Sequence, residues 1–165
     1  MKTTLAAAAA FLAASAAFAQ ASPATHTIRL LTPEAAQKAV NAAMAECRKQ
    51  GFQVAVAVVD RSGVTQALLR DRFAGAHTPE VAANKAWTAV SFRTSTTELA
   101  RATQAGQPAS GLRSVPRFTA VGGGLNFESA GSIVGGIGVS GAPSGDADDA
   151  CARAGIAALR DDLEL

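Results

Sequence analysis

The chain has no tyrosine, a single tryptophan (Trp87) and seven phenylalanines among 165 residues. That poverty removes the aromatic platforms on which single-stranded nucleic acids stack. Charge is scarce too: 17% of residues are acidic or basic, and the formal net charge is +2. A nucleic-acid footprint needs a dense basic patch, so no nucleic-acid partner is expected. There are two histidines, His26 and His77, and two cysteines, Cys47 and Cys151. None has a neighbour at the spacing of a zinc or redox motif. Fifteen glycines without a triplet period exclude collagen, and 48% hydrophobic content excludes intrinsic disorder. Beyond the N-terminus no apolar run approaches membrane length.

The N-terminus reads as a processing signal. Lys2 is followed by an apolar run from Ala6 to Phe18, broken by Ser15, and then by the small-x-small pattern Ala17-Phe18-Ala19. Residues 1–19 are therefore expected to be a signal peptide, with the processed chain starting at Gln20. This leader carries one Lys and no acid, so the formal charge falls from +2 to +1 without it. A periplasmic or secreted protein, with no membrane attachment after cleavage, is the expectation. Residues 20–30 read as a flexible lead-in, and 31–165 as one domain. An oxidising compartment lets two cysteines pair.

The remaining chain alternates helical and strand signals. Thr32-Pro33-Glu34 is a helix start, with Thr as cap, Pro in the first turn and an early acid. Ala36, Val40, Ala43, Met44 and Cys47 follow at helical spacing, and Gly51 suits the exit. Residues 52–59 (FQVAVAVV) predict a strand, Asp60 to Gly63 a turn, and 64–70 the returning strand. Thr78-Pro79-Glu80 starts a second helix expected to reach Phe92, and Thr94-Ser95-Thr96 caps a short third one. Residues 105–116 read as loop. Strands are expected at 117–121, 125–127 and 132–140 (SIVGGIGVS), then a last helix from Asp146. A hairpin separated from later strands by helices means α+β with a largely antiparallel sheet.

Two blocks resemble a known family. One is VAVVD RSGVTQALLRD around the hairpin, leading into Glu80, Lys85-Ala86, Thr88-Ala89 and Phe92. The other is GGGLNF at 122–127 with VGGIGVSGA at 134–142, then Asp148, Asp149, Cys151 and Ala152. The chain resembles the GlcG/HbpS-like haem-binding proteins, which include the C-terminal domain of PduO-type proteins, over residues 30 to 160. Asn126 stands where that family usually has Pro. The resemblance implies a profilin-like α+β fold: a largely antiparallel sheet packed by N-terminal, middle and C-terminal helices, often in homo-oligomers. It also implies haem as a cofactor for some members, and haem sensing for exported ones.

Against that background, His77 is the leading metal ligand candidate, since imidazole is a usual axial ligand of haem iron. Its alternative is a solvated loop residue before a helix. Lys85 and Arg93 lie eight apart on one helix and could pair with haem propionates. Equally, Lys85 could pair with an acid such as Asp71 and fix the hairpin against the helix. Arg70 and Asp71, ending the second strand, are expected to line the same cleft. Cys47 and Cys151 could form a disulfide if both terminal helices pack on one sheet face, as in profilin-like folds; two separate buried thiols are the alternative. Gly122-Gly123-Gly124 lacks the Lys-Ser/Thr ending and the following helix of a phosphate loop and reads as a tight turn. Ser140 lacks the spacing of a hydrolase nucleophile. Without a triad or paired carboxylates, a haem-binding protein that buffers or senses haem or iron is favoured over a small-molecule or haem-degrading enzyme in the same cleft. A ligand-free oligomeric interaction module is the third reading.

Overall fold

A computed structural model describes residues 23–164. The predicted signal peptide lies outside the described residues. Helix α1 (Pro33–Lys49) starts where Thr32 accepts a hydrogen bond from the Ala35 N–H at 3.2 Å. Strands β1 (Ala55–Asp60) and β2 (Thr65–Arg70) form the expected hairpin. Helix α2 (Thr78–Phe92) and helix α3 (Thr96–Ala102) follow. Ser95 and Glu98 build a capping box at the start of α3. A short 3-10 turn (Ser110–Ser114) interrupts the predicted loop. Strands β3 (Gly124–Ser129) and β4 (Ser132–Ser140) precede α4 (Gly145–Ala157) and α5 (Arg160–Leu163).

All neighbouring strands pair antiparallel, in the order β2-β1-β4-β3. One sheet face is aliphatic: Val54, Val56, Val58, Val134, Ile137 and Val139 bury against α1 and α4. The opposite face is built of small residues. Ala55 and Ala57 meet Ala82 of α2, while Gly136 and Gly138 stand beneath Ala86 and Ala82. A Cβ on Gly138 would fall 1.9 Å from the Ala82 carbonyl oxygen. The glycines of β4 thus let α2 lie directly on the sheet backbone.

Cys47 of α1 and Cys151 of α4 form a disulfide across 104 residues of sequence, with Cα atoms 5.5 Å apart. Both terminal helices do pack on one sheet face, which is the condition the pairing requires.

Two expectations need correction. Residues 117–121 are not a strand: Arg117 takes φ 70°, which breaks extended backbone, and pairing starts only at Gly124. The helix expected from Asp146, α4, starts at Gly145, because Ser144 supplies the cap to the Ala147 N–H, and a separate short helix α5 follows it.

Candidate functional site

A hollow of about 470 Å³ opens between the start of α2 and the segment joining β4 to α4. That volume lies within the range of small-ligand pockets, roughly 300–1,000 Å³. His77 and Thr78 form one edge and Ser144 and Gly145 the other. Val81, Val121, Ala142 and Pro143 supply apolar wall, while Lys85, Ser140 and Asp148 supply the polar floor.

His77 sits at the rim as the N-cap of α2, is exposed, and makes no side-chain capping bond. Its ring lies over Gly75, where a Cβ would come 2.7 Å from Cε1 and 2.9 Å from Nδ1. Gly75 therefore leaves room for the imidazole to fold back to the hollow's edge.

Lys85 is on the buried face of α2 and only 2% exposed. Its ammonium donates to Asp148 Oδ2 at 2.7 Å and to the Val139 carbonyl at 2.9 Å. The expected alternative partner, Asp71, is not the one it takes. Asp71 ends the hairpin on the α1 side and accepts two hydrogen bonds from Arg48, at 2.7 and 3.0 Å. The hydrogen-bonded Arg48 guanidinium holds the Asp71 carboxyl down to about 2. At Asp148, burial pushes the carboxyl above its ordinary range, against the pull of Lys85.

The glycine triplet serves this pair. Gly123 leaves no Cβ where one would lie 2.8 Å from Asp148 Cβ and 3.0 Å from Lys85 Nζ. Its N–H donates to Asp149 Oδ1 at 2.5 Å, and the Gly124 N–H to Thr96 Oγ1 at 2.8 Å. These amides are committed inside the fold, in keeping with a close-packed turn.

His77 and Lys85 therefore share the hollow, and the other predicted side chains are placed elsewhere. Arg70 folds over the Ala74 carbonyl in the loop before α2, and Asp71 faces Arg48. Arg93 ends α2 in the left-handed region at φ 56° and is exposed. Sixteen residues of helix separate it from His77, about 24 Å at the usual rise. His26 lies in the extended N-terminal segment and does not line the hollow. Among the described residues no three His, Cys, Asp or Glu side chains cluster to hold a metal ion.

Sequence reasoning missed Asp148 as the partner of Lys85 and Ser140 as part of the floor. A signal for the first was available: a Lys on the apolar face of a helix needs a buried acid, and Asp148 sits on the inward face of α4. No local signal marks Ser140, whose orientation depends on strand register.

Fold and site together define a small α+β domain with a single-helix face, a disulfide-tied helix pair on the other face, and a ligand-sized hollow at one end. Residues 31–157 match a family model described as haem degrading protein HbpS-like, and the chain belongs to that family. A solved double mutant of Streptomyces reticuli HbpS is 42% identical, with 92% of this chain and 98% of that chain covered and a TM-score of 0.79. A solved complex of PduOC with haem is 32% identical, covering 78% and 94% of the two chains at a TM-score of 0.74. The corrinoid adenosyltransferase PduO of Citrobacter freundii is 35% identical over 120 residues, 72% of this chain. The matched region spans 36% of the length of that relative.

Proposed function

We propose that this chain is an exported haem-binding protein that holds the porphyrin at the α2–α4 hollow and buffers or senses haem. The observation that carries the reading is His77, an uncapped, exposed imidazole at the mouth of a hollow with apolar walls and a polar floor. That set suits an amphipathic, carboxylate-bearing iron porphyrin: imidazole for the metal, aliphatic contact for the ring, polar donors for the acid groups. Bound haem would supply a redox-active iron, and the chain's own part is to ligate it through His77 and shield one ring face with Val81, Val121 and Pro143. Lys85 is already paired with Asp148, so it is assigned to the floor rather than to a free cationic clamp. The haem complex of a 32% identical relative supports the ligand class. The leader pattern of residues 1–19 and the disulfide support export.

Haem titration into the chain starting at Gln20 tests this. A saturable Soret shift in the wild type that is weakened in His77→Ala is the expected result. No saturable shift at micromolar haem would overturn the reading, and equal shifts in both chains would remove His77 as ligand.

The family's description as haem degrading favours one second reading, oxidative breakdown of haem in the same hollow. That reaction needs dioxygen and an electron donor from outside the chain. Loss of the Soret band with ascorbate in air, beyond a protein-free control, would establish it.

A second copy of the chain is the partner we assign to the β2 edge. Leu68 of β2 and the flanking Val64 and Phe73 are 45%, 58% and 79% exposed, and β2 is an edge strand of the sheet among the described residues. Light scattering should give an oligomer that Leu68→Lys weakens; a wild-type monomer would refute the assignment.

A further inference from the structure

Ser140 differs from the other buried polar side chains lining the hollow. It is only 5% exposed, yet its hydroxyl has no hydrogen-bond partner within the described residues. Its direction follows from the register of β4. Ile137 and Val139 point into the aliphatic core, so Gly136, Gly138 and Ser140 point to the α2 side. The hydroxyl therefore faces the floor of the hollow.

Two further donors line the same hollow. Lys85 has three ammonium protons and commits two of them, to Asp148 and to the Val139 carbonyl. The Gly145 N–H opens the first turn of α4, a helix of 13 residues, and has no acceptor among the described residues. Further along the same turn the amides are committed, the Ala147 N–H to Ser144 Oγ and the Asp148 N–H to the Ser144 carbonyl. The start of α2, a helix of 15 residues, borders the same hollow, so two positive dipole ends converge on it. Asp148 is the one acid lining the hollow among the described residues, and both its oxygens are turned to donors: Oδ2 to Lys85 and Oδ1 to the Ala142 N–H at 3.0 Å.

We propose that this floor is a carboxylate-binding subsite, in which Ser140 Oγ, the third ammonium proton of Lys85 and the Gly145 N–H receive one carboxylate group. A monoanion with two oxygens matches three donors beside a neutralised ion pair, whereas a dianion would crowd the buried Asp148. This deepens the ligand reading of the hollow but does not require the ligand to be haem. The carboxylate has two possible sources, a propionate arm of haem or a free small organic acid.

The test compares haem with haem dimethyl ester, and sodium propionate with buffer alone. In the wild type, free-acid haem is expected to bind about tenfold more tightly than the ester, the worth of one charge-assisted hydrogen-bond set. Ser140→Ala should shrink that preference, which assigns the carboxylate to haem. If the two porphyrins bind alike while propionate shifts the Gly145 amide signal in proton–nitrogen NMR, and Ser140→Ala abolishes the shift, the source is a small acid. The same propionate response without any Soret shift keeps the subsite and discards haem. Equal porphyrin affinities with no propionate response overturn the subsite, even where haem binds. The wild-type comparisons need no variant, so a poorly folded Ser140→Ala does not blunt the result.

Discussion

Reducing the Cys47–Cys151 bridge should weaken the fold chiefly through the unfolded chain. Both cysteines are fully buried between α1 and α4, so the thiols stay packed where they are when the bond opens. What is lost is the restraint on a loop of 104 residues, worth about 4.7 kcal/mol at room temperature in the chain-entropy treatment. With a urea slope of roughly 2 kcal/mol per molar, ordinary for a domain of this size, the midpoint should fall by about 2 M. Urea unfolding followed by the fluorescence of Trp87, with and without prior reduction under denaturing conditions, measures it. Reduced wild type is a cleaner comparison than alanine variants, which also delete sulfur volume. A fall of less than about 0.5 M, with thiol counting showing complete reduction, would refute the loop-entropy reasoning.

Lys85→Met should destabilise the domain by about 3–5 kcal/mol, because it leaves Asp148 buried without its cation. Lys85→Met combined with Asp148→Leu should recover most of that in the same urea assay; a double variant as weak as the single one would contradict a pairing origin. Gly138→Ala drives a methyl into the Ala82 carbonyl, with no flexible side chain to yield, and thermal unfolding should fall by more than about 10 °C if the variant folds at all. For Asp71, the folded carboxyl at about 2 lies below the ordinary 3.8, so the unfolded chain binds the extra proton. Its contribution is complete above the unfolded value and is lost as pH falls from there to about 2; Asp71→Asn should flatten that limb of an acid titration. Since Arg48 is half exposed, added salt should shrink the effect.

Local chemistry made most elements legible. Thr32-Pro33, Ser95 and the turn Asp60 to Gly63 act on the residues beside them, and each helix start or hairpin falls where those residues put it. Strand β4 was readable to its ends because its β-branched and glycine pattern has no helical period. The segment 117–121 misleads because its β-branched composition says nothing of pairing partners, and Arg117 is drawn instead onto Trp87, 4.9 Å from the ring centroid, with a hydrogen bond to Asn84. His77 and Lys85 fall in one hollow because His77 caps α2 and Lys85 lies about two turns further along it. Arg70 and Asp71 are adjacent in sequence but end a twisted strand, so one turns to the Ala74 carbonyl and the other to α1. The partner of Lys85 lies 63 residues away, a separation no local pattern encodes.

Laying α2 on glycine and alanine has a price in adaptability. No layer of side chains lies between the helix and the β4 backbone at Gly138, so there is nothing to compress or repack when a neighbour changes. The bed of the hollow is consequently fixed, like a wall of masonry, and relatives that prefer ligands of another size should differ at the lip formed by residues 141–144 and by His77. Diversification and engineering alike are steered to those few positions.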